Sequence, residues 1–209
     1  MKKIPTLFER KFENHHVTEI LPNVTNGMEW VLDGEGIATV KVDGSCCAII
    51  NGEFYRRYDA KNGKPVPEGA IKCQDEPDPV TGHLPCWVKV KENDPDDKWF
   101  MSAYNNYRDE QCRIDTSTLG EPEQYCYGIL AGGTYEAIGK HFCGNPYNLD
   151  NDILVKHGGI KIDVERSFNG IRKYLSEHYI EGIVFWKDGE PRCKIKRSDF
   201  GFEWNGKNK

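Results

Sequence analysis

Short runs of alternating apolar and polar side chains recur along this chain, each closed by glycine, proline, asparagine or aspartate. Residues 37–58 predict two strands joined at Asn51-Gly52-Glu53, since Asn-Gly is a strong hairpin signal. The first, "IATVKVDGSCCAII", carries Lys41 and is broken at Asp43-Gly44. The second, "EFYRRYDA", sets Phe54, Arg56 and Tyr58 against Tyr55 and Arg57. Residues 59–82, rich in Lys, Gly, Pro and Asp, predict a surface loop. "PCWVKVKE" predicts a further strand, and "NDPDDK" a solvated turn before "WFMSAYNNY". "QYCYGILAGGTYEAIGK" predicts two strand-like runs separated by Gly132-Gly133, and "GNPYN" is turn chemistry. In "SFNGIRKYLSEH", Phe168, Ile171 and Leu175 share one helical face behind Ser167 as N-cap. "YIEGIVFWKDGEPRCKIKR" predicts a last hairpin around "KDGE". Many short, mostly antiparallel strands with few helices define an α+β fold.

Composition narrows the class. The 209 residues suit one domain, residues 1–209, with one sizeable core. At 38% hydrophobic and 29% charged the chain is globular, and a net charge of −5 excludes a global basic field. Any nucleic acid would bind a local patch. No stretch reaches transmembrane length, so no membrane partner is expected. The basic start "MKKIPTLFERKFENHH" lacks the apolar core of a signal peptide, which points to the cytoplasm or nucleus. The eight cysteines then read as reduced thiols. His83-x-x-Cys86 and His141-x-Cys143 are the nearest approach to zinc-ligand pairs.

A lysine in an apolar strand is most simply a residue of the solvated face, and Glu136 or Glu181 alone would be a strand-end acid. In the same way Lys194, Lys196 and Arg197 would be a basic sheet edge. Together they describe a reaction. Lysine attacking the α-phosphorus of a nucleoside triphosphate must do so as the free amine, which burial and neighbouring cations favour. Lys194 and Lys196, two apart in one strand, point the same way and can stabilise the negative charge gathered at phosphorus. Glu181 offers an oxygen to Mg²⁺ or Mn²⁺. Asp43, beyond Lys41 on the same strand face, can orient the amine or the hydrated metal.

The order Lys41-x-Asp43-Gly44, Glu136, Glu181-Gly182-apolar, Lys194-x-Lys196 resembles the covalent nucleotidyltransferases: DNA ligases, RNA ligases and capping enzymes. At finer grain, "KVDGSCC", "RYDAK", "YEAIG" followed by "GNPY", "EGIVFW" and "KIKRSDFGFEW" resemble the stand-alone, vertebrate-type ATP-dependent RNA 5′–3′ ligases. The resemblance spans about residues 38–204. It implies a nucleotidyltransferase (ATP-grasp-like) domain of antiparallel sheets with flanking helices and no OB-fold. It implies Lys41 as the AMP-bearing lysine, with Asp43 and Gly44 as its supporting turn. It implies Arg57 on a nucleotide or phosphate end, Glu136 on the ribose, Glu181 on the metal, and Lys194 and Lys196 on the triphosphate. Arg56 competes with Arg57, since only one of two adjacent strand residues can face a pocket. Tyr135, Phe142 and Tyr147 are candidates to stack on adenine. The expected partner is RNA with 5′-phosphate and 3′-hydroxyl ends, joined by a monomer using ATP. Two departures bear on the alternatives of a DNA ligase core or a capping guanylyltransferase. Cys46 stands where DNA ligases commonly carry arginine, and only thirteen residues follow Lys196, too few for an OB-fold. A further alternative is a binding module for nucleic-acid ends without catalysis, which the intact Lys41, Glu181, Lys194 and Lys196 set disfavours.

Overall fold

The computed structural model describes residues 1–13, 16–61, 64–79, 81–119 and 132–205. Its strands are β1 (Phe8–Glu13), β2 (His16–Val24), β3 (Ile37–Lys41), β4 (Ser45–Ile50), β5 (Glu53–Ala60), β6 (Ile71–Lys72), β7 (Leu84–Lys89), β8 (Gly133–Ile138), β9 (Ile153–Lys156), β10 (Lys161–Ile162), β11 (Gly182–Lys187) and β12 (Glu190–Lys196). The α-helices are α1 (Lys98–Leu119) and α2 (Phe168–Glu177), and a 3₁₀ turn, Arg197–Phe200, follows β12. The fold is α+β with antiparallel sheets. Among the described residues no helix is long and apolar enough to cross a membrane. The strand-like run expected at 124–131 lies outside the described residues.

The chain forms two compact units, Met1–Lys3 with Asp43–Lys156, and Ile4–Val42 with His157–Lys209. In the first, a six-stranded sheet runs in the order β6-β7-β5-β4-β8-β9. Cys47, Ile49, Phe54 and Tyr135 on one of its faces pack with Ala103 of α1, beside Phe100, Tyr104 and Tyr107. The run "WFMSAYNNY" therefore opens a helix whose aromatic residues recur at helical spacing. In the second unit a four-stranded sheet, β10-β3-β11-β12, sets Ala38, Ile183, Phe185, Cys193 and Ile195 in one core with Ile171 and Leu175 of α2. Ser167 caps α2, its hydroxyl accepting from Gly170 N at 2.9 Å. β1 and β2 pair as a separate two-stranded ribbon.

Both expected hairpins form. Asn51 and Gly52 have φ of 52° and 79°, and Asp188 and Gly189 have 56° and 75°. Positive φ at both central residues is the condition of a type I′ turn. The stretch 37–50 differs from expectation. The break at Asp43-Gly44 does not merely interrupt one strand but sends its halves into different sheets, β3 beside β11 and β4 between β5 and β8. Gly44 is needed there, because a Cβ would lie 2.2 Å from Ala137 O and 2.7 Å from Ile138 Cγ2. Asp43 consequently lies outside β3 rather than on its face.

The turn at 94–97 also differs. Asp97 is buried, accepting from Arg56 Nε at 2.6 Å and from Lys91 N at 2.9 Å. It is a structural anchor of the first unit and not a solvated acid. Asp97→Ala would leave a half-buried guanidinium and a backbone donor without a partner. We expect urea unfolding to show a loss of about 2–4 kcal/mol. Asp96→Ala, at an exposed position of the same turn, should stay within about 0.5 kcal/mol. Equal losses would remove the special role of Asp97.

Candidate active site

The register of three strands builds the site in the second unit. Gly182, at the start of β11, is paired with Lys41 at the end of β3 on one side and with Lys196 at the end of β12 on the other. Two lysines thus flank a position without a side chain. None would fit, because a Cβ on Gly182 would lie 2.2 Å from Ile195 O. Glu181 precedes that glycine and places its carboxylate between the two ammonium groups. Oε2 accepts from Lys41 Nζ at 2.5 Å, and Oε1 from Lys196 Nζ at 2.7 Å. The carboxylate is buried, with 6% of its side chain exposed, against 21% for Lys41 and 34% for Lys196. Charges this desolvated persist only when paired, which accounts for the bridged arrangement.

Lys194 stands two residues before Lys196, opposite Val184. Burial, then the nearby Lys41, Lys196 and Arg10, lower its pKa to about 8, against the raising influence of Glu181. Sequence reading passed over two further residues of this neighbourhood. Asp199, in the 3₁₀ turn, is buried and accepts from Lys196 N at 2.9 Å. Arg10 of β1 donates from one Nη2 to both oxygens of Asp199, at 2.7 and 2.8 Å. The signal available for Asp199 was its place three residues after Lys196, that of the acid in a capping box; Arg10 carries no motif. With Asp199 already engaged by Arg10 and the Lys196 backbone, Glu181 among three lysines and an arginine leaves a site too cationic to hold a bare divalent metal. It fits a metal that arrives with a polyphosphate, since Mg²⁺ needs few protein oxygens beside substrate phosphates.

The remaining candidates lie in the first unit. Asp43 donates its backbone N–H to the Tyr147 hydroxyl at 2.7 Å. Glu136 of β8 pairs in register with Cys46 of β4. Cys46 is pushed up to about 12, first by burial and next by Glu136, while Arg57 acts in the opposite sense. Cys46, Arg57 and Glu136 therefore share the sheet face away from α1. Arg57 Nε donates to Asp59 Oδ1 at 2.8 Å, whereas Arg56 points to the other face and is held by Asp97. The two arginines thus take opposite faces of the sheet. Of the aromatic candidates, Tyr135 and Phe142 are core residues packed against Tyr107 and Phe100 of α1. Arg197 is also committed internally, donating to Leu175 O and His178 O at the end of α2 and to Glu203 O. Of the nearest zinc-like pairs, His141 Nδ1 meets Asp152 Oδ2 at 2.8 Å and Cys86 Sγ donates to Tyr58 O. Cys46, Cys47, Cys73, Cys86 and Cys193 are free thiols.

The lowered Lys194 makes a prediction about stability. Its folded pKa of about 8 lies below the ordinary lysine value of 10.5. Below pH ~8 the ammonium is charged in both states and the folded state bears the whole cost. Between about 8 and 10.5 the unfolded chain binds more protons, so stability rises with pH. Lys194→Met should therefore raise stability at pH 7 by roughly 1–3 kcal/mol and flatten the rise across that window. Urea unfolding at pH 7 and at pH 9.5 measures both. An unchanged slope would remove Lys194 as its source.

A family model described as RNA ligase 1 matches residues 61–209. RNA ligase 1 of Pongo abelii is 30% identical over 226 aligned residues, covering 80% of this chain and 68% of that protein. RNA ligase 1 of Rattus norvegicus is 27% identical over 277 residues, covering 97% of this chain and 82% of its own. RNA ligase 1 of Danio rerio is 28% identical over 221 residues, covering 80% and 68%. The family match contains Glu136, Glu181, Lys194 and Lys196, and the rat protein's alignment takes in nearly the entire chain. The strand register that gathers a lysine pair on one glutamate thus occurs in a chain that belongs to the RNA ligase 1 family.

Proposed function

We propose that this protein is an ATP-dependent RNA ligase that joins a 5′-phosphate to a 3′-hydroxyl through a lysyl-AMP intermediate, on a nucleotidyltransferase fold. The observation that carries the reading is the single buried Glu181 carboxylate shared by Lys41 and Lys196, residues far apart in sequence. A strand-end lysine held beside two further lysines supports this reading, since such a cluster suits a polyphosphate better than a solvated face does.

In the first step Lys41 Nζ, having lost a proton, bonds the α-phosphorus of ATP, and the bond from that phosphorus to the bridging oxygen breaks. Pyrophosphate leaves with the electron pair. Lys194 and Lys196 supply cationic donors to the phosphate oxygens as charge gathers there. Glu181 holds the amine until then. Glu181 would hold a divalent cation, Mg²⁺ or Mn²⁺. When bound, such an ion neutralises phosphate oxygens. Arg57 and Glu136 are assigned by resemblance to a phosphate end and to the ribose hydroxyls. In the second step an oxygen of the RNA 5′-phosphate attacks the lysyl-AMP phosphorus, forming a phosphoanhydride and freeing Lys41. In the third the RNA 3′-hydroxyl oxygen attacks the 5′-phosphorus, loses its proton and expels AMP.

Two measurements test this reading. Intact mass after incubation with ATP and Mg²⁺ should show one AMP per wild-type chain. None should appear with Lys41→Ala or Lys41→Arg, because a guanidinium stays protonated. Glu181→Ala should form the adduct at least tenfold more slowly. A wild-type adduct that persists in Lys41→Ala would place the nucleophile elsewhere. The second measurement supplies pre-adenylylated ends and compares an all-RNA nick with one carrying deoxynucleotides at the 3′-terminus. The RNA terminus should be joined faster, because the 2′-hydroxyl is the group that distinguishes the two. With a net charge of −5, phosphate contacts through Arg57, Lys61 and Lys64 are few, so the salt dependence should be shallow. Equal rates on the two nicks would favour a DNA ligase.

A further inference from the structure

The lysine strand β12 forms an edge of its four-stranded sheet, and the N-terminal segment closes that edge. Lys194 N donates to Pro5 O at 3.0 Å, and Leu7 N to Lys194 O at 2.7 Å, with Thr6 bridged in parallel to Lys194. The segment is pinned from its other side, where Thr25 N donates to Leu7 O at 2.9 Å and Thr25 Oγ1 to Thr6 O at 2.7 Å. Three residues beyond Leu7, Arg10 reaches the far end of the same strand through Asp199, whose other bond is to the Lys196 backbone. The segment from Pro5 to Arg10 thus grips β12 at Lys194 by its main chain and at Lys196 through an ion pair.

The chemistry of that pair is uneven. The Asp199 side chain is wholly buried and that of Arg10 is 21% exposed. The guanidinium spends one nitrogen on Asp199, while its Nε is buried and makes no hydrogen bond among the described residues. A buried donor left unmade is costly, and packing alone would select an apolar residue here. Placing a further cation beside Lys194, in addition to Lys41 and Lys196, adds repulsion. The arrangement makes sense as a device that holds a strand end in one position against the mutual repulsion of its lysines. A displacement of about 1 Å at such a position is enough to weaken catalysis by orders of magnitude.

We propose that Arg10 is a positioning residue for nucleotide transfer, its ion pair with Asp199 setting the end of β12 so that Lys194 and Lys196 meet the triphosphate. The inference rests on the proposed adenylylation of Lys41. Its test is the rate of AMP–protein formation against ATP concentration for wild type, Arg10→Ala, Arg10→Lys, Asp199→Asn and the Arg10→Ala/Asp199→Asn double variant. Each is assayed well below its own melting temperature, with hydrogen exchange of residues 194–199 measured on the same samples. Arg10→Ala should raise the ATP concentration for half-maximal rate at least fivefold, and Arg10→Lys should recover much of the loss by keeping a cation on Asp199. The double variant should lose no more than the worse single variant, and exchange at 194–199 should speed up in Arg10→Ala. A wild-type ATP response in a folded Arg10→Ala protein overturns the proposal, and so do multiplying losses in the double variant. If wild type forms no adduct, the ligase reading fails by itself. Exchange then decides the clamp: faster exchange at 194–199 in Arg10→Ala upholds it, and unchanged exchange rejects it.

Discussion

Everything at the candidate site turns on one carboxylate. Glu181 is buried, and its two oxygens are the counter-charges of Lys41 and Lys196. Remove it and two partly buried ammonium groups face each other across Gly182, with Lys194 beside them. The carboxylate can occupy that gap because the next residue has no side chain and because both neighbouring strands end in register with it. The ion pairs and the strand register are therefore one constraint, and a shift of a single residue would carry the lysines to the opposite face.

The same unit shows how charge and core are kept apart. On β3, β11 and β12 the alternate residues Ala38, Ile183, Phe185, Cys193 and Ile195 join the α2 core, and Lys41, Lys194 and Lys196 take the other positions. The first unit solves a related problem with two arginines in succession. Arg56 turns to the α1 face, where Asp97 neutralises it, and Arg57 turns to the face that bears Cys46 and Glu136. Two residues identical in type serve different ends because strand geometry sends them to opposite sides.

Much of this was legible in the sequence. Turn chemistry at Asn51-Gly52 and Asp188-Gly189, the cap at Ser167 and the period-two alternation of β5, β7 and β12 identify local structure, because each depends on near neighbours alone. The order of Lys41, Glu181, Lys194 and Lys196 also pointed to the family, and the family match agrees with that.

What only tertiary structure decided is partnership between distant residues. The helix that begins in "WFMSAYNNY", the passage of 37–50 between two sheets, the burial of Asp97 by Arg56 and the hold of Arg10 on Asp199 all depend on which strands lie side by side. Local alternation specifies that a lysine and a glutamate will face out of a strand, but it carries no information on which other strand will stand opposite. Here that pairing is set by the burial of apolar faces on α1 and α2, and it alone turns a solvated lysine into one held against a buried acid.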